Sequence, residues 1–482
     1  MIEQKLFING QWVETTSGTI VDDVNPADGT TVARVHLAGA DETYAAIEAA
    51  SGAFPQWKDL LAMDREVFFY RAAEHLAANQ FRYAQMLIED SGSCFMKAMD
   101  EIGQCVSICR AAGGECRKIN GEILQEDQPG QVSTFIRQPL GVIAGISPFN
   151  YPVLLAITKV MLALAAGNTF ILKPSSDVPL AGLIIAQTCE AAGFPAGVFN
   201  LLIGPGETIG DILTEDPRVK MLTFTGSTVV GKKLAVKCAA NGKRITLEMG
   251  GKNPMIVLKD FDVDQAVSIG AFGAFFHQGQ ICMATSRIIV EEPLYEAFCG
   301  AFAEKAKTIK MGDPHKEDTI IGPLIHEKQC EFIDSLIRDA VEKGAKVLTG
   351  GTHEGSFYAP TVISDVTEEM DIFYQECFGP VAVICRAADA EHALALCNHN
   401  QYGLSGALLT NDLSLAMSMA PRMESGMVHV NDSTVMGSRQ APFGGVKDSG
   451  MGREGSRFSI EEFTELKWIT YQLTRGGYPT DL

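Results

Sequence analysis

The feature that most restricts the fold of this chain is a long alternation of short apolar segments with helical segments. Residues 141–146 and 169–173 are apolar and short enough to be buried strands, and a helical pattern at 180–193 follows them. Such alternation predicts βαβ units on a parallel sheet, with a ligand site beyond the carboxyl ends of the strands. A second alternating block covers 253–446, so we expect two α/β units.

Before these blocks the pattern changes twice. Two short apolar pieces flank Asn9-Gly10, a dipeptide that strongly favours a β-hairpin. From about 41 to 117, apolar residues recur three and four positions apart, which predicts helices. Two further segments, 131–136 and 468–473, are rich in β-branched and aromatic residues and predict strands.

Composition excludes several classes of function. The chain has 482 residues, 46% of them hydrophobic, and 39 basic against 59 acidic residues give a formal charge of −20. This charge argues against a nucleic-acid or anionic-membrane partner. No apolar stretch follows Met1, because the segment Ile2-Glu3-Gln4-Lys5 is already charged, which argues against a secretory signal, so we expect a cytoplasmic location. The most apolar stretch, 153–166, contains Lys159 and is too short to span a bilayer.

The cysteines do not have the spacing of a zinc site. Cys105, Cys109 and Cys116 lack paired Cys-x2-Cys spacing and accompanying histidines. We therefore expect free thiols and no metal.

Three residues could together perform acyl transfer through sulfur. Cys282 follows Gln278-Gly279-Gln280-Ile281, Glu248 lies 34 positions before it, and Asn150 lies 132 positions before it. A thiolate can attack a carbonyl, an amide N–H can stabilise the oxyanion, and a carboxylate can activate a thiol or a water.

These segments, in this order and at these distances, resemble the aldehyde dehydrogenase superfamily. Other matching segments extend the resemblance along almost the whole chain: Lys173-Pro174-Ser175-Ser176, Phe224 to Gly231, Glu376-Cys377-Phe378-Gly379-Pro380, and Pro442 to Lys447. The stretch from Gln278 to Arg287 is most similar to the vanillin and benzaldehyde dehydrogenase branch. The resemblance implies NAD(P)-dependent oxidation of an aldehyde to a carboxylic acid by a homodimer or homotetramer.

The resemblance also implies catalytic roles. Cys282 would be the nucleophile, and Asn150 with the backbone N–H of Cys282 would bind the oxyanion. Glu248 would activate the water that hydrolyses the thioester. Family members that transfer the acyl group to coenzyme A often lack a carboxylate at this position, so Glu248 favours a free acid as product.

A further set of residues resembles the family's dinucleotide site. Lys173 would contact the adenosine ribose, Ser227 the pyrophosphate, and Glu376 the nicotinamide ribose, with Gly206 in a glycine pattern that is weak alone. The complete set is Phe149, Lys173, Ser176, Gly206, Gly226, Ser227, Glu376 and Phe378. A solvated glutamate at 376 and core aromatics at 149 and 378 remain alternatives.

Ser176 departs from the commonest family pattern. Many members that prefer NAD have a glutamate here, which binds the ribose 2′-hydroxyl and repels a 2′-phosphate. A serine leaves room and removes the like-charge repulsion, while Lys173 can pair with the phosphate. We therefore expect the chain to accept NADP, alongside NAD.

The predicted aldehyde tunnel is apolar and suits an aromatic or medium-chain aldehyde. Its predicted lining is Tyr151, Leu154, Leu155, Ile281, Met283 and Arg439, although the apolar members could instead pack the core. Arg439 could hold the distal carboxylate of a semialdehyde, or it could be a solvated loop residue. A third alternative is a catalytically inactive member of the fold used for binding or structure.

The expected architecture is α/β, with a Rossmann-like cofactor domain, an α/β catalytic domain and a small β oligomerisation element. The predicted cofactor domain covers 1–120 and 142–251, with 448–466 returning to it. The predicted catalytic domain is 252–447. Residues 121–141 and 467–482 form the predicted oligomerisation element, since an edge strand favours pairing with a second chain.

Overall fold

The computed structural model describes residues 1–474, 478 and 480; the other residues of the predicted segment 467–482 lie outside the described residues. The helices in it are α1 (Ala40–Lys58), α2 (Ala62–Ala78), α3 (Gln80–Ser91), α4 (Phe95–Glu115), α5 (Pro152–Ala165), α6 (Leu180–Ala192), α7 (Gly206–Glu215), α8 (Thr228–Ala240), α9 (Val263–Phe275), α10 (Tyr295–Lys307), α11 (Glu327–Glu342), α12 (Asp371–Tyr374), α13 (Ala390–Asn398), α14 (Leu413–Met419) and α15 (Ser456–Glu462).

The strands, in chain order, are β1 (Ile2–Gln4), β2 (Leu6–Ile8), β3 (Gln11–Val13), β4 (Ile20–Val24), β5 (Thr31–His36), β6 (Glu122–Leu124), β7 (Gln131–Pro139), β8 (Val142–Ile146), β9 (Thr169–Lys173), β10 (Phe199–Leu201), β11 (Val219–Thr225), β12 (Arg244–Glu248), β13 (Asn253–Val257), β14 (Thr285–Glu291), β15 (Lys346–Thr349), β16 (His353–Glu354), β17 (Phe357–Tyr358), β18 (Thr361–Ser364), β19 (Val381–Ala387), β20 (Tyr402–Gly403), β21 (Ser405–Leu409), β22 (Met427–Val430), β23 (Val446–Lys447), β24 (Gly450–Met451) and β25 (Thr464–Gln472). Short 3-10 turns lie at Phe276–Gly279, Glu292–Leu294 and Ala420–Arg422.

The first sheet has the strand order β24-β12-β11-β8-β9-β10-β2-β3. Its central strands, β8 to β12, pair in parallel, which confirms the βαβ units predicted from the apolar alternation. The predicted hairpin is also confirmed, because β2 and β3 pair antiparallel and Asn9 and Gly10 both have positive φ. One hydrophobic core lies around this sheet.

The second sheet has the order β15-β18-β19-β14-β13-β21-β22 and is parallel except where β15 joins β18. Two separate hydrophobic cores pack against it. After Lys447 the chain returns to the first sheet, where β24 pairs with β12 so that Gly450 lies opposite Glu248. The carboxyl end of β12 is therefore covered by a segment from the far end of the sequence.

The third sheet has the order β25-β7-β6 and is antiparallel. The two strands predicted from 131–136 and 468–473 are neighbours in it, with Trp468 opposite Phe135. Several of its apolar side chains are exposed, including Ile123, Ile136, Leu466 and Trp468. Within the described ranges no helix has the length and apolar character needed to cross a membrane.

Candidate active site

Cys282 lies on a loop whose geometry depends on an unusual turn. Between α9 and β14, the three consecutive residues His277, Gln278 and Gly279 all have φ between 51° and 68°. At Gly279 any Cβ would overlap the carbonyl of Gly379, so glycine is required there for space as well as for φ. The turn delivers Cys282 to a partly exposed position, whereas the other eleven cysteines of the chain, all described, are buried.

The surroundings of the Cys282 sulfur do not favour the thiolate by themselves. Burial is the main effect and raises the pKa of the Cys282 thiol to about 12, and the carboxylates of Glu376 and Glu248 raise it further. The backbone N–H groups of Met283 and Cys282 lower the pKa of this thiol, because they stabilise negative charge on the sulfur. Formation of the thiolate at neutral pH therefore needs a base or an added positive charge.

Asn150 is held against the loop that carries Cys282. Its Nδ2 donates to the carbonyl oxygen of Gln280 at 2.8 Å, two residues before the cysteine. The backbone carbonyl oxygen of Asn150 accepts a hydrogen bond from Nε2 of His277 at 2.8 Å. Because an amide nitrogen carries two hydrogens, the second remains for an oxyanion near the sulfur.

Glu248 ends β12 in a buried position, and its environment favours the neutral acid. Neither of its carboxylate oxygens has a hydrogen-bond partner within the described part of the chain. Desolvation raises the pKa of Glu248 well above its usual range, and the charge of Glu454 adds to this shift. A Cβ at Gly444 would lie 2.7 Å from Oε1 of Glu248, so the loop after β22 passes over the carboxylate at a glycine.

A buried ion pair between Lys159 and Glu454 lies beside Glu248. Lys159 projects from the apolar helix α5, and its positive charge partly offsets the upward shift of the Glu248 pKa. Sequence reasoning missed the role of this pair. The available signal was a single lysine inside the most apolar stretch of the chain, where an unpaired charge would be costly.

At the same carboxyl edge of the first sheet, where β9 ends, Lys173 and its neighbours form the region predicted to bind the adenosine part of a dinucleotide. Lys173 is buried, and its Nζ donates to the carbonyl oxygen of Pro174 at 3.1 Å. Burial lowers the pKa of Lys173 to about 8. Ser176 donates from Oγ to the carbonyl oxygen of Gly204 at 3.2 Å, and Gly206 lies beside the lysine chain at the start of α7.

This region fits a phosphate-bearing cofactor. Lys173 is a buried cation with no ion-pair partner among residues 1–474, 478 and 480. Ser227 caps α8 by accepting from the N–H of Val230, so the helix N-terminus faces the same edge of the sheet. The backbone N–H of Gly226, the residue before Ser227, donates to the backbone carbonyl oxygen of Glu248 at 3.1 Å. The N-terminus of α8 therefore lies next to the end of β12.

The segment containing Glu376 and Phe378 joins the two α/β units at the site. Glu376 accepts from the N–H of Gly251 at 3.0 Å, and its pKa is raised to about 7 by burial. A Cβ at Gly250 would overlap this carboxylate in its present position, so a side chain at 250 would displace the Glu376 carboxylate. Phe378 packs edge-on against Phe149 with ring centroids 5.6 Å apart.

The predicted substrate residues do not all occupy equivalent positions. Tyr151, Leu155 and Met283 are half-buried, whereas Leu154 is buried in the first core, the alternative that the sequence left open for it. Ile281 is buried and lines a small cavity together with Gly251, Glu376 and Phe378.

Arg439 is half-buried, and its guanidinium makes no hydrogen bond or ion pair with the part of the chain that the structure describes. Burial lowers the pKa of this guanidinium, whereas the charges of Asp100 and Glu101 and the side chains of Cys105 and Tyr151 raise it. Arg439 is therefore a cation near Tyr151 that lacks a direct anionic partner.

Among the residues described, no group of three or more His, Cys, Asp or Glu side chains could hold a metal ion. The arrangement of Cys282, Asn150 and Glu248 can perform covalent chemistry on a carbonyl, and the adjacent edge of the first sheet can hold a dinucleotide.

Comparison with known proteins shows which chains this one is similar to. The model of the aldehyde dehydrogenase family matches residues 12–469. A vanillin dehydrogenase of Corynebacterium glutamicum is 40% identical over 96% of this chain and 97% of its own length. The NADP(+) succinate-semialdehyde dehydrogenase of Escherichia coli is 36% identical over 97% of this chain and 98% of its own length. A crystal structure of a salicylaldehyde dehydrogenase from Pseudomonas putida G7, complexed with salicylaldehyde, has a TM-score of 0.98 at 34% identity and covers 99% of this chain and 100% of its own.

Proposed function

The chain belongs to the aldehyde dehydrogenase family and is an NAD(P)-dependent aldehyde dehydrogenase, and from this premise we propose that it oxidises aromatic aldehydes to their acids through a thioester on Cys282. The observation that carries the proposal is the partly exposed Cys282 on a loop hydrogen-bonded to Asn150, within electrostatic range of the buried Glu248. Aromatic substrates are favoured because relatives named for vanillin and salicylaldehyde match nearly the whole chain.

In the first step the Cys282 thiol loses its proton to water, the thiolate sulfur attacks the aldehyde carbon, and the carbonyl oxygen becomes an oxyanion. The second hydrogen of Asn150 Nδ2 and the backbone N–H of Cys282 stabilise that charge. Removal of one such donor typically costs about 2.7–4 kcal/mol of transition-state stabilisation. The hydrogen bond from Asn150 Nδ2 to the Gln280 carbonyl oxygen orients the side-chain amide of Asn150 before the substrate binds.

When bound, NAD(P) supplies a cationic ring that accepts the hydride from the thiohemiacetal carbon. Lys173, Ser176, Gly206 and Ser227 would hold its adenosine and pyrophosphate part, and Glu376, Phe378 and Phe149 would hold the nicotinamide end. The chain's own groups provide position, which is their main contribution to such a step.

Hydrolysis of the thioester completes the reaction. Glu248 accepts a proton from a water molecule as the water oxygen attacks the thioester carbon. The carbon–sulfur bond then breaks, the acid is released, and the proton held by Glu248 passes to the Cys282 sulfur, which restores the thiol and the carboxylate. The environment of Glu248 suits this role, because a carboxylate with a raised pKa is a stronger base and its oxygens have no competing partner in the described residues.

Arg439 supports a second candidate substrate class, the semialdehydes, because its half-buried guanidinium has no direct anionic partner among the described residues. A panel of benzaldehydes, aliphatic aldehydes and semialdehydes, assayed by NAD(P)H absorbance, tests both classes. We expect the highest kcat/KM with benzaldehydes. Arg439→Met should change kcat/KM for uncharged benzaldehydes by less than about threefold, since it removes only a rim cation.

The outcomes of this panel separate the two classes. A semialdehyde as best substrate, with at least about a hundredfold loss of kcat/KM in Arg439→Met, would contradict the aromatic proposal and establish a charge pair. Lack of NAD(P)H formation with every aldehyde would support the inactive alternative instead.

Ser176→Glu should weaken the binding of NADP relative to that of NAD. The new carboxylate would repel the 2′-phosphate near Lys173, and we expect NADP to bind roughly tenfold to a hundredfold more weakly, with NAD binding unchanged or tighter. Ser176→Gln is the matched control, because it adds similar bulk without charge. Equal effects on both cofactors, or a hundredfold preference for NAD in the unaltered protein, would contradict the interpretation of Ser176.

The affinity for NADP should depend on pH through Lys173. Below its pKa of about 8 the lysine is cationic and attracts the 2′-phosphate, and above it the charge is lost. We expect the Kd for NADP to rise roughly tenfold from pH 7 to pH 9, and the Kd for NAD to change less. Titration of each cofactor at both pH values measures this. Lys173→Arg should remove the dependence, and a parallel rise for NAD would contradict it.

Assembly is proposed from the third sheet. The exposed apolar side chains of β6, β7 and β25 would be covered if two or four copies of the chain associated there. The domain boundaries given above and a cytoplasmic location stay predictions.

A further inference from the structure

A fully buried ion pair between Lys97 and Glu101 lies on α4, next to the segment that carries Asn150. Both side chains have no exposure to solvent. Such a pair contributes little to stability, since the desolvation of two charges opposes their attraction. Each of the two charges also contacts the segment from Asn150 to Leu154.

Glu101 holds the start of the helix that follows Asn150. Its Oε1 accepts from the backbone N–H groups of Val153 and Leu154, each at 2.9 Å. These groups belong to the first turn of α5, and the side chain of the N-cap residue Tyr151 does not cap the helix with a hydrogen bond. A carboxylate from α4 thus takes the place of the missing cap and lies at the positive end of the helix dipole.

Lys97 and His277 hold the two residues before that helix. Lys97 neutralises the other oxygen of Glu101, and its Nζ lies 4.4 Å from the centre of the Tyr151 ring. The His277 ring packs edge-on with Tyr151 at 5.5 Å, and its Nε2 donates to the Asn150 carbonyl. The segment from Asn150 to Leu154 is therefore held at three places. These are the backbone carbonyl of Asn150, the ring of Tyr151 and the backbone N–H groups of Val153 and Leu154.

We propose that the buried Lys97–Glu101 pair is a positioning element for the oxyanion site, which holds α5 so that the Asn150 amide faces the carbon attacked by Cys282. The inference rests on the proposed role of Asn150 and adds two residues that do not touch substrate. A misplacement of about 1 Å at a reacting group can cost about a hundredfold in rate, so small displacements of α5 matter.

The test replaces the pair in two ways. Lys97→Met/Glu101→Leu is apolar and similar in volume, so it avoids an unpaired charge while removing the acceptor for the α5 amides. Lys97→Met/Glu101→Gln retains a carbonyl acceptor without the charge. Glu115→Gln is the matched control, because Glu115 is a buried carboxylate at the end of the same helix, bonded to Lys118 and Ser456.

We expect kcat to fall about tenfold or more in the Leu variant and about threefold in the Gln variant, with NAD(P) affinity unchanged. Each double substitution is also made in Asn150→Ala, where no amide remains to be positioned. There the further change in kcat should be less than about twofold, since coupled residues are not additive. Glu115→Gln should leave kcat unchanged.

An equal loss in both backgrounds would show that the pair only supports folding, and no loss in the unaltered background would overturn the proposal directly. If the Leu variant does not fold, the Gln variant carries the same comparison. A different result, full activity of Asn150→Ala, would refute the assigned role of Asn150 itself, so failure of the proposed function can be distinguished from failure of the inference.

Discussion

Cys282→Ala is expected to abolish aldehyde oxidation while leaving dinucleotide binding intact. The sulfur forms the bond on which both later steps depend, and removal of a covalent nucleophile typically lowers kcat by about 10⁴-fold or more. The loop itself should persist, because its conformation depends on the left-handed turn at His277 to Gly279 and not on the cysteine. Steady-state NAD(P)H formation and cofactor titration measure the two properties.

The matched control for this variant is Cys299→Ala, a buried cysteine on α10 that belongs to a core of the second unit. It should retain full turnover. Residual activity of Cys282→Ala above about 1% of the unaltered rate would mean that another group performs the attack.

Glu248→Gln should separate the two halves of the reaction. The amide keeps the shape of the side chain but cannot accept a proton from water, so the first hydride transfer proceeds and the thioester accumulates. We expect a burst approaching one NAD(P)H per active site, followed by turnover reduced about 10²–10⁴-fold. Stopped-flow absorbance resolves the burst from the later rate.

The pH dependence supplies a second readout for Glu248. A carboxyl with a raised pKa is protonated, and inactive as a base, below that pKa, so hydrolysis of the thioester should accelerate as pH rises through it. The residual rate of Glu248→Gln should lack this rise. Loss of the burst together with turnover would contradict a role confined to hydrolysis.

Much of the fold follows from local pattern. The Asn9-Gly10 hairpin, the helices between 41 and 117 and the parallel strands around β8 and β9 each arise from apolar spacing or turn chemistry within a few residues. The family motifs predicted a site made of Cys282, Asn150 and Glu248, and the structure holds Asn150 against the loop of Cys282 through its hydrogen bond to Gln280.

The charged residues behind the site could not be predicted in the same way. Lys159 and Glu454 are 295 positions apart, and Glu101 reaches α5 across 52 residues, so their proximity depends on the packing of distant segments. Lys97 lies on a helix in which polar and apolar residues are mixed. The sequence alone therefore does not show whether its side chain is solvated or buried. Ile281 lies on an irregular loop, where side chains do not alternate with a regular period. The direction of its side chain therefore could not be predicted from the sequence either.

The most direct test of the account is to trap the acyl group in Glu248→Gln. The variant is mixed with a benzaldehyde and NADP, quenched during the burst, digested at low pH and analysed by peptide mass spectrometry. We predict that the peptide containing Cys282 gains the mass of the acyl group, and that the gain disappears in the Cys282→Ala/Glu248→Gln variant. NADPH production with the acyl group on another residue, or on none, would contradict a thioester at Cys282.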